Sequence, residues 1–134
     1  MKNIAVKRYN PEEEARLFAL LEEEGGDWID YWGPEGKQKY RKALASSVVY
    51  LLFEEECLCG YVRCRDDDGF GVYVYDLLVN RQYRGNEYGR LLMEQVYHDF
   101  PEEAVYVMGD VYPYYEDALG YETEGKIYRV KMKS

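Results

Sequence analysis

Histidine is close to absent from this sequence: His98 stands alone among 134 residues. Cysteine is scarce and clustered, with Cys57, Cys59 and Cys64 in one short segment. No second histidine or further cysteine completes a zinc set, and no metal is expected. Three thiols so placed read as reduced cysteines in a cytoplasmic protein. Strand alternation would put Cys57 and Cys59 on one side and Cys64 on the other. Long apolar runs are also lacking. The longest, Val48 to Phe53, falls far short of the ~20 residues of a spanning helix. The first residues, Met1 to Arg8, hold no apolar stretch of signal-peptide length. Basic charge is in deficit, with 17 Lys and Arg against 26 Asp and Glu and a net charge of −9. Such a field repels phosphate, which excludes a general nucleic-acid or anionic-membrane binder, and it favours cationic partners.

What is present is enough for one core. A chain of 134 residues, 47% of them hydrophobic, fits a single domain over 1–134. No repeat, low-complexity tract or linker divides it. Ile4 to Arg8 alternates as a first strand. Asn10 can cap a helix with Pro11 in its first turn, Leu17, Phe18 and Leu21 on its apolar face, and Gly25-Gly26 as its stop. A second helix is expected over Pro34 to Ala45. Ser47 to Phe53, Leu58 to Cys64 and Val72 to Val79 then read as an antiparallel meander, turning at Glu54–Glu56 and at Asp66–Gly69. After Gly85 the period becomes helical through Tyr88, Leu91, Leu92, Val96 and Tyr97 until Pro101. Ala104 to Met108 reads as a buried strand, Tyr114 to Leu119 as a short helix, and Ile127 to Met132 as a last strand. The predicted architecture is a single mixed, mostly antiparallel sheet with helices on both faces.

One segment stands out chemically: Asp76-Leu77-Leu78-Val79-Asn80-Arg81-Gln82-Tyr83-Arg84-Gly85-Asn86-Glu87-Tyr88-Gly89-Arg90. A strand ends, a loop rich in Arg and Gly follows, and a helix begins at once. The first N–H groups of a helix lack internal partners, and with the helix dipole they attract an anion. Glycine lets a phosphate approach the backbone closely, and Arg84 and Arg90 add local charge. Taken bare, the pattern fits an ordinary strand-to-helix connection equally well.

This segment resembles motif A of the GNAT acetyltransferase superfamily, whose loop reads Arg/Gln-x-x-Gly-x-Gly/Ala. Arg84 matches its first position, Gly85 the glycine that commonly follows, and Gly89 the last, while Glu87 replaces the central glycine. A second stretch, Tyr114-Tyr115-Glu116-Asp117-Ala118-Leu119-Gly120-Tyr121-Glu122, is similar to the family's Phe-Tyr-Glu-x-x-Gly-Phe-Glu segment, and the order of elements fits over nearly the whole chain. The resemblance implies a sheet splayed between its fourth and fifth strands, and acetyl-CoA as co-substrate. It implies that Arg84, Gly85, Asn86, Glu87, Tyr88, Gly89 and Arg90 hold the pyrophosphate. Leu77, Leu78 and Val79 would pair with the pantetheine arm through their backbone, and Tyr115 would be the general acid toward the departing thiolate.

The base is open. Where family members often carry a strand glutamate, this chain has Tyr75. Asp76 is a candidate base, substrate anchor or ion-pair partner, and Asp110 is a second candidate base. His98 falls near the far end of its helix and is expected at the surface. Trp28, Tyr31 and Trp32, together with Tyr75, are candidates for an acceptor pocket, in which aromatic rings can stack on a cation. The implied activity is acetyl transfer to a primary amine, small or on a peptide, by a monomer or homodimer. A non-catalytic acyl-CoA-binding module and a ligand-free structural domain are the alternatives.

Overall fold

A computed structural model describes residues 2–109 and 114–133. Five strands form one sheet in the order β1-β2-β3-β4-β5: Ile4–Arg8, Val48–Glu54, Cys57–Asp66, Val72–Val79 and Val105–Val107. The first three pairings are antiparallel and β4–β5 is parallel. The sheet is therefore mixed, as expected.

The first helix starts as its sequence predicts. Asn10 Oδ1 accepts from the N–H of Glu12 at 2.8 Å, Pro11 opens a 3-10 turn, and α1 follows over Glu14–Glu24. The expected second helix is preceded by one more turn, α2 (Ile29–Trp32), with α3 over Lys37–Ala45. Glycine fits these two close together: a Cβ on Gly36 would lie 1.7 Å from the carbonyl oxygen of Asp30. The late helix, α4, covers Tyr88–Asp99 and ends before Pro101.

Two cores lie on opposite faces of the sheet. Leu17, Leu21, Tyr40 and Leu44 of α1 and α3 meet Val49, Leu51 and Tyr61 on one face. Leu92, Met93 and Val96 of α4 meet Leu52, Val62, Val72 and Val74 on the other. Burying one of these aliphatic side chains stabilises by roughly 1.5–3 kcal/mol, so this apolar pattern fixes both layers.

Two bulges change which residues share a face. In β3, Cys59 is extra between the pairs Leu52↔Gly60 and Phe53↔Leu58. Cys64 consequently joins Cys59 in the core beneath α4, where simple alternation had put it opposite; all three cysteines are free. In β4, Tyr75 is extra between Arg63↔Asp76 and Cys64↔Val74. The expected last strand, Ile127 to Met132, does not form. Ile127, Tyr128, Val130 and Met132 are exposed. Alternation alone does not make a strand: the only free lateral edge of β5 is three residues long, too little to anchor a six-residue partner.

Candidate active site

The parallel pairing of β4 with β5 covers only Val72↔Val105, Tyr73↔Tyr106 and Val74↔Val107. Beyond Val74, β4 runs on to Val79 with no described strand on that side, so the sheet opens into a gap bordered by Tyr75, Leu77 and Val79. At the end of β4 the chain makes a 3-10 turn, Arg81–Tyr83, and enters α4. Among the described residues, no carbonyl or side chain accepts from the N–H groups of residues 85–90. These donors stand at the head of a 12-residue helix that follows the end of β4.

The side chains of that turn are placed as follows. Arg84 is already engaged: its Nε donates to the carbonyl of Val79 at 2.9 Å and a terminal nitrogen to Glu24 Oε1 at 2.6 Å. It ties the end of β4 to the end of α1. Glu87 has φ of +65°, the left-handed conformation that disfavours any Cβ. The family's glycine at this position thus has a backbone reason. The Glu87 carboxylate turns outward, 68% exposed, and pairs with Arg90 Nε at 2.9 Å. Arg90 also donates to the carbonyl of Ala118 at 2.7 Å, linking α4 to the segment with Tyr115. Gly89 makes room for a neighbour: a Cβ there would fall 2.0 Å from the hydroxyl of Tyr114.

If acetyl-CoA sets its phosphates on this helix head, as the resemblance implies, replacing Glu87 by glycine is expected to tighten its binding about two- to five-fold, the 0.3–1 kcal/mol scale of one charge at a helix N-terminus. The gain should shrink as salt rises. Titration calorimetry at two ionic strengths measures it; an unchanged or weaker affinity would place the carboxylate away from the phosphates.

A cavity of about 430 Å³ lies next to the gap. Trp28, Tyr31, Tyr75, Asp76, Leu77 and Tyr115 line it, and sequence reasoning had singled out all six. Asp27, Asp30, Val107 and Met108 complete the wall. Tyr115, 9% exposed, belongs to a single wide turn of π type, Tyr114–Ala118, and its ring lies parallel to that of Tyr121 with centroids 6.3 Å apart. Trp32 is off the cavity; its indole donates to the carbonyl of Gly25 at 3.0 Å. Leu78 packs into the α1–α3 core, and His98 is exposed. Asp110 lies outside the described residues.

Asp76 is 4% exposed and sits in a polar network. Its Oδ1 accepts from the Tyr31 hydroxyl at 2.6 Å, and its Oδ2 from the Tyr40 hydroxyl at 2.6 Å and from Arg63 Nε at 2.5 Å. Burial, then the bond to Asp76, pushes the Tyr31 hydroxyl up to about 12, and burial raises Tyr40 further. Both phenols therefore stay protonated donors at neutral pH. The Arg63 guanidinium lies 5.4 Å from the centres of both the Tyr40 and Tyr75 rings and donates to Ser47 Oγ at 3.1 Å. Asp27, Asp30, Arg63 and Tyr40 were not foreseen. The two aspartates were legible as acids interleaved with Trp28 and Tyr31. The Arg63–Asp76 pairing needed the strand register.

A mixed sheet layered between helices, opened between its two parallel strands beside a helix head, defines the fold of an acetyltransferase. The chain belongs to the acetyltransferase (GNAT) family, whose sequence model matches residues 15–121. No curated protein matches it significantly. Among solved structures it is similar to a GNAT family acetyltransferase of Streptococcus pneumoniae TIGR4, with 23% identity and a TM-score of 0.71 over 98% of this chain and 100% of that one. It also resembles the aminoglycoside acetyltransferase HMB0005 from an uncultured soil metagenomic sample, at 20% identity and a TM-score of 0.72 over 98% and 99%. A third is a ribosomal-protein-alanine N-acetyltransferase of Brucella melitensis biovar Abortus 2308, at 11% identity and 0.72 over 97% and 100%. Among the described residues no helix is long and apolar enough to cross a membrane, and no cluster of acids, cysteines or histidine could hold a metal ion.

Proposed function

We propose that this chain moves the acetyl group of acetyl-CoA to a primary amine by direct attack in a ternary complex. The observation that carries the reading is the run of backbone donors at the head of α4 with no partner among the described residues, just after the strand whose unpaired edge beyond Val74 borders the cavity with Tyr115. The residues present suit the co-substrate: the amides of 85–90 take a diphosphate, and the free edge of β4 at Leu77 to Val79 takes an amide-bearing arm. Bound there, acetyl-CoA supplies an already activated thioester, so the protein's work is alignment.

In this reading the N–C bond forms as the C–S bond breaks. A β4 backbone amide polarises the carbonyl, and the Tyr115 hydroxyl gives its proton to the departing sulfur. The amine proton leaves through water to a carboxylate, for which Asp110, just past β5, is the candidate. The tyrosine is then reprotonated from solvent. Asp27 and Asp30, with the rings of Trp28, Tyr31 and Tyr75, favour a cationic acceptor. Fold neighbours include the aminoglycoside and ribosomal-protein enzymes named above and AAC(6')-Iy bound to a CoA bisubstrate analogue, which agrees with an amine acceptor. Free cysteines suit the cytoplasm.

Two measurements test this. Calorimetry should show acetyl-CoA binding that weakens several-fold in Gly89→Ala, where the added Cβ displaces Tyr114 against the cradle. Thiol detection over an amine panel should show CoA release. Absence of binding at millimolar co-substrate would defeat the reading. Binding without turnover on any amine would favour an acyl-CoA-binding module.

A further inference from the structure

The acceptor side of the cavity is carried by a segment that cannot hold itself in place. The helix α2 has four residues, far below the length at which a helix is stable alone. Its position comes from side chains. Trp32 ties it to Gly25, while the Tyr31 ring stacks on Tyr40 at 4.1 Å with 9° between planes. Trp28 meets Tyr31 and Tyr61 edge-on at 5.7 and 6.3 Å. The direct polar link from α2 to the strand bearing the thioester edge is the bond from Tyr31 to Asp76, one residue before Leu77.

We propose that Arg63, Asp76, Tyr40 and Tyr31 form a clasp that sets the acceptor wall against β4, with Asp76 and Tyr31 as positioning residues and not proton carriers. The proposal rests on the reading of the cavity as a transferase site. Both oxygens of Asp76 are occupied by three donors, from Tyr31, Tyr40 and Arg63. A proton delivered to this carboxylate would break a charge-assisted bond and leave the guanidinium of Arg63, 8% exposed, without its counter-charge. As a clasp the same bonds are used intact. Oδ1 fixes α2, and through it Trp28 and Asp30. Oδ2 joins α3 and β3 at the bulge where Tyr75 is turned out.

The test is Tyr31→Phe, which keeps the stacked ring and deletes one donor. The Michaelis constant for the acceptor should rise about three- to ten-fold, the worth of one hydrogen bond. That for acetyl-CoA should stay within about twofold, since the cradle lies on another element. Equal changes in both, or none for the acceptor, would overturn the clasp. The attacking amine and its base must be unprotonated, so kcat should fall on the acidic side, and in Asp76→Asn that fall should persist. Its disappearance with a ~100-fold loss of kcat would make Asp76 the base and overturn the proposal. Should wild type acetylate no amine, the transferase reading fails separately. The clasp is then judged by acrylamide quenching of the two tryptophans, both within residues 26–32 of the clasped segment: quenching rises in Tyr31→Phe if the clasp holds the segment, and unchanged quenching overturns it.

Discussion

An Arg63→Ala variant is expected to lose about 3–5 kcal/mol of stability, the usual cost of removing one partner from a buried ion pair. In a domain of this size that lowers the thermal midpoint by roughly 10 °C or more. Arg63 and Asp76 face each other across β3 and β4 with side chains 10% and 2% exposed, so water does little to screen either charge. Alanine leaves the Asp76 carboxylate in the core with two phenol donors and no cation. It also empties the space between the Tyr40 and Tyr75 rings, where the guanidinium makes cation–π contacts worth about 2 kcal/mol when desolvated. Lysine does not substitute, because one ammonium cannot reach Asp76 and Ser47 while lying flat between two rings. Neutralising both partners, as in Arg63→Met with Asp76→Asn, should recover part of the loss, since no unpaired charge is left buried. Urea denaturation of the three variants gives the numbers. A loss below about 1 kcal/mol for Arg63→Ala would mean that the pair is solvated.

The same pair marks where the sequence stopped being readable. Elements with a strong local signal came out as read: the Asn10 cap, the stop at Gly25, the hairpin turns, the helical period after Gly85. Each depends on residues within one or two turns of each other. The strand end, turn and helix head that the proposed cradle uses were legible for the same reason, since they are contiguous. Arg63 and Asp76 are thirteen residues apart, and a bulge decides that they face each other. Without the extra residue at Tyr75, alternation would pair Arg63 differently and turn Asp76 to the other face. The bulge at Cys59 likewise misled the reading of Cys64. At the far end, Ile127 to Met132 carries a strand's alternation but stays exposed, because pairing depends on the neighbouring edge. Asp27 and Asp30 were overlooked since charge beside aromatics is common on surfaces; only the cavity shows that they share a wall with Tyr31 and Tyr115.

Tyr115→Phe is expected to lower kcat about 100-fold, within the 10²–10⁴ range for removing a general acid. The acetyl-CoA dissociation constant should stay within about twofold. The two effects separate because the ring and the hydroxyl do different work. The ring packs edge-on against Tyr114 at 5.2 Å and parallel to Tyr121, contacts that phenylalanine preserves. In the proposed mechanism the hydroxyl is the atom offered to the departing sulfur, and it matters only as charge develops there. A ground-state contact would instead weaken binding with kcat intact. Stopped-flow CoA release gives kcat, and calorimetry gives the acetyl-CoA dissociation constant. Tyr114→Phe is the control, removing a hydroxyl beside Gly89 that contacts the cradle and not the reacting atoms. If the two variants lose turnover equally, the sulfur takes its proton from water and Tyr115 only shapes the wall.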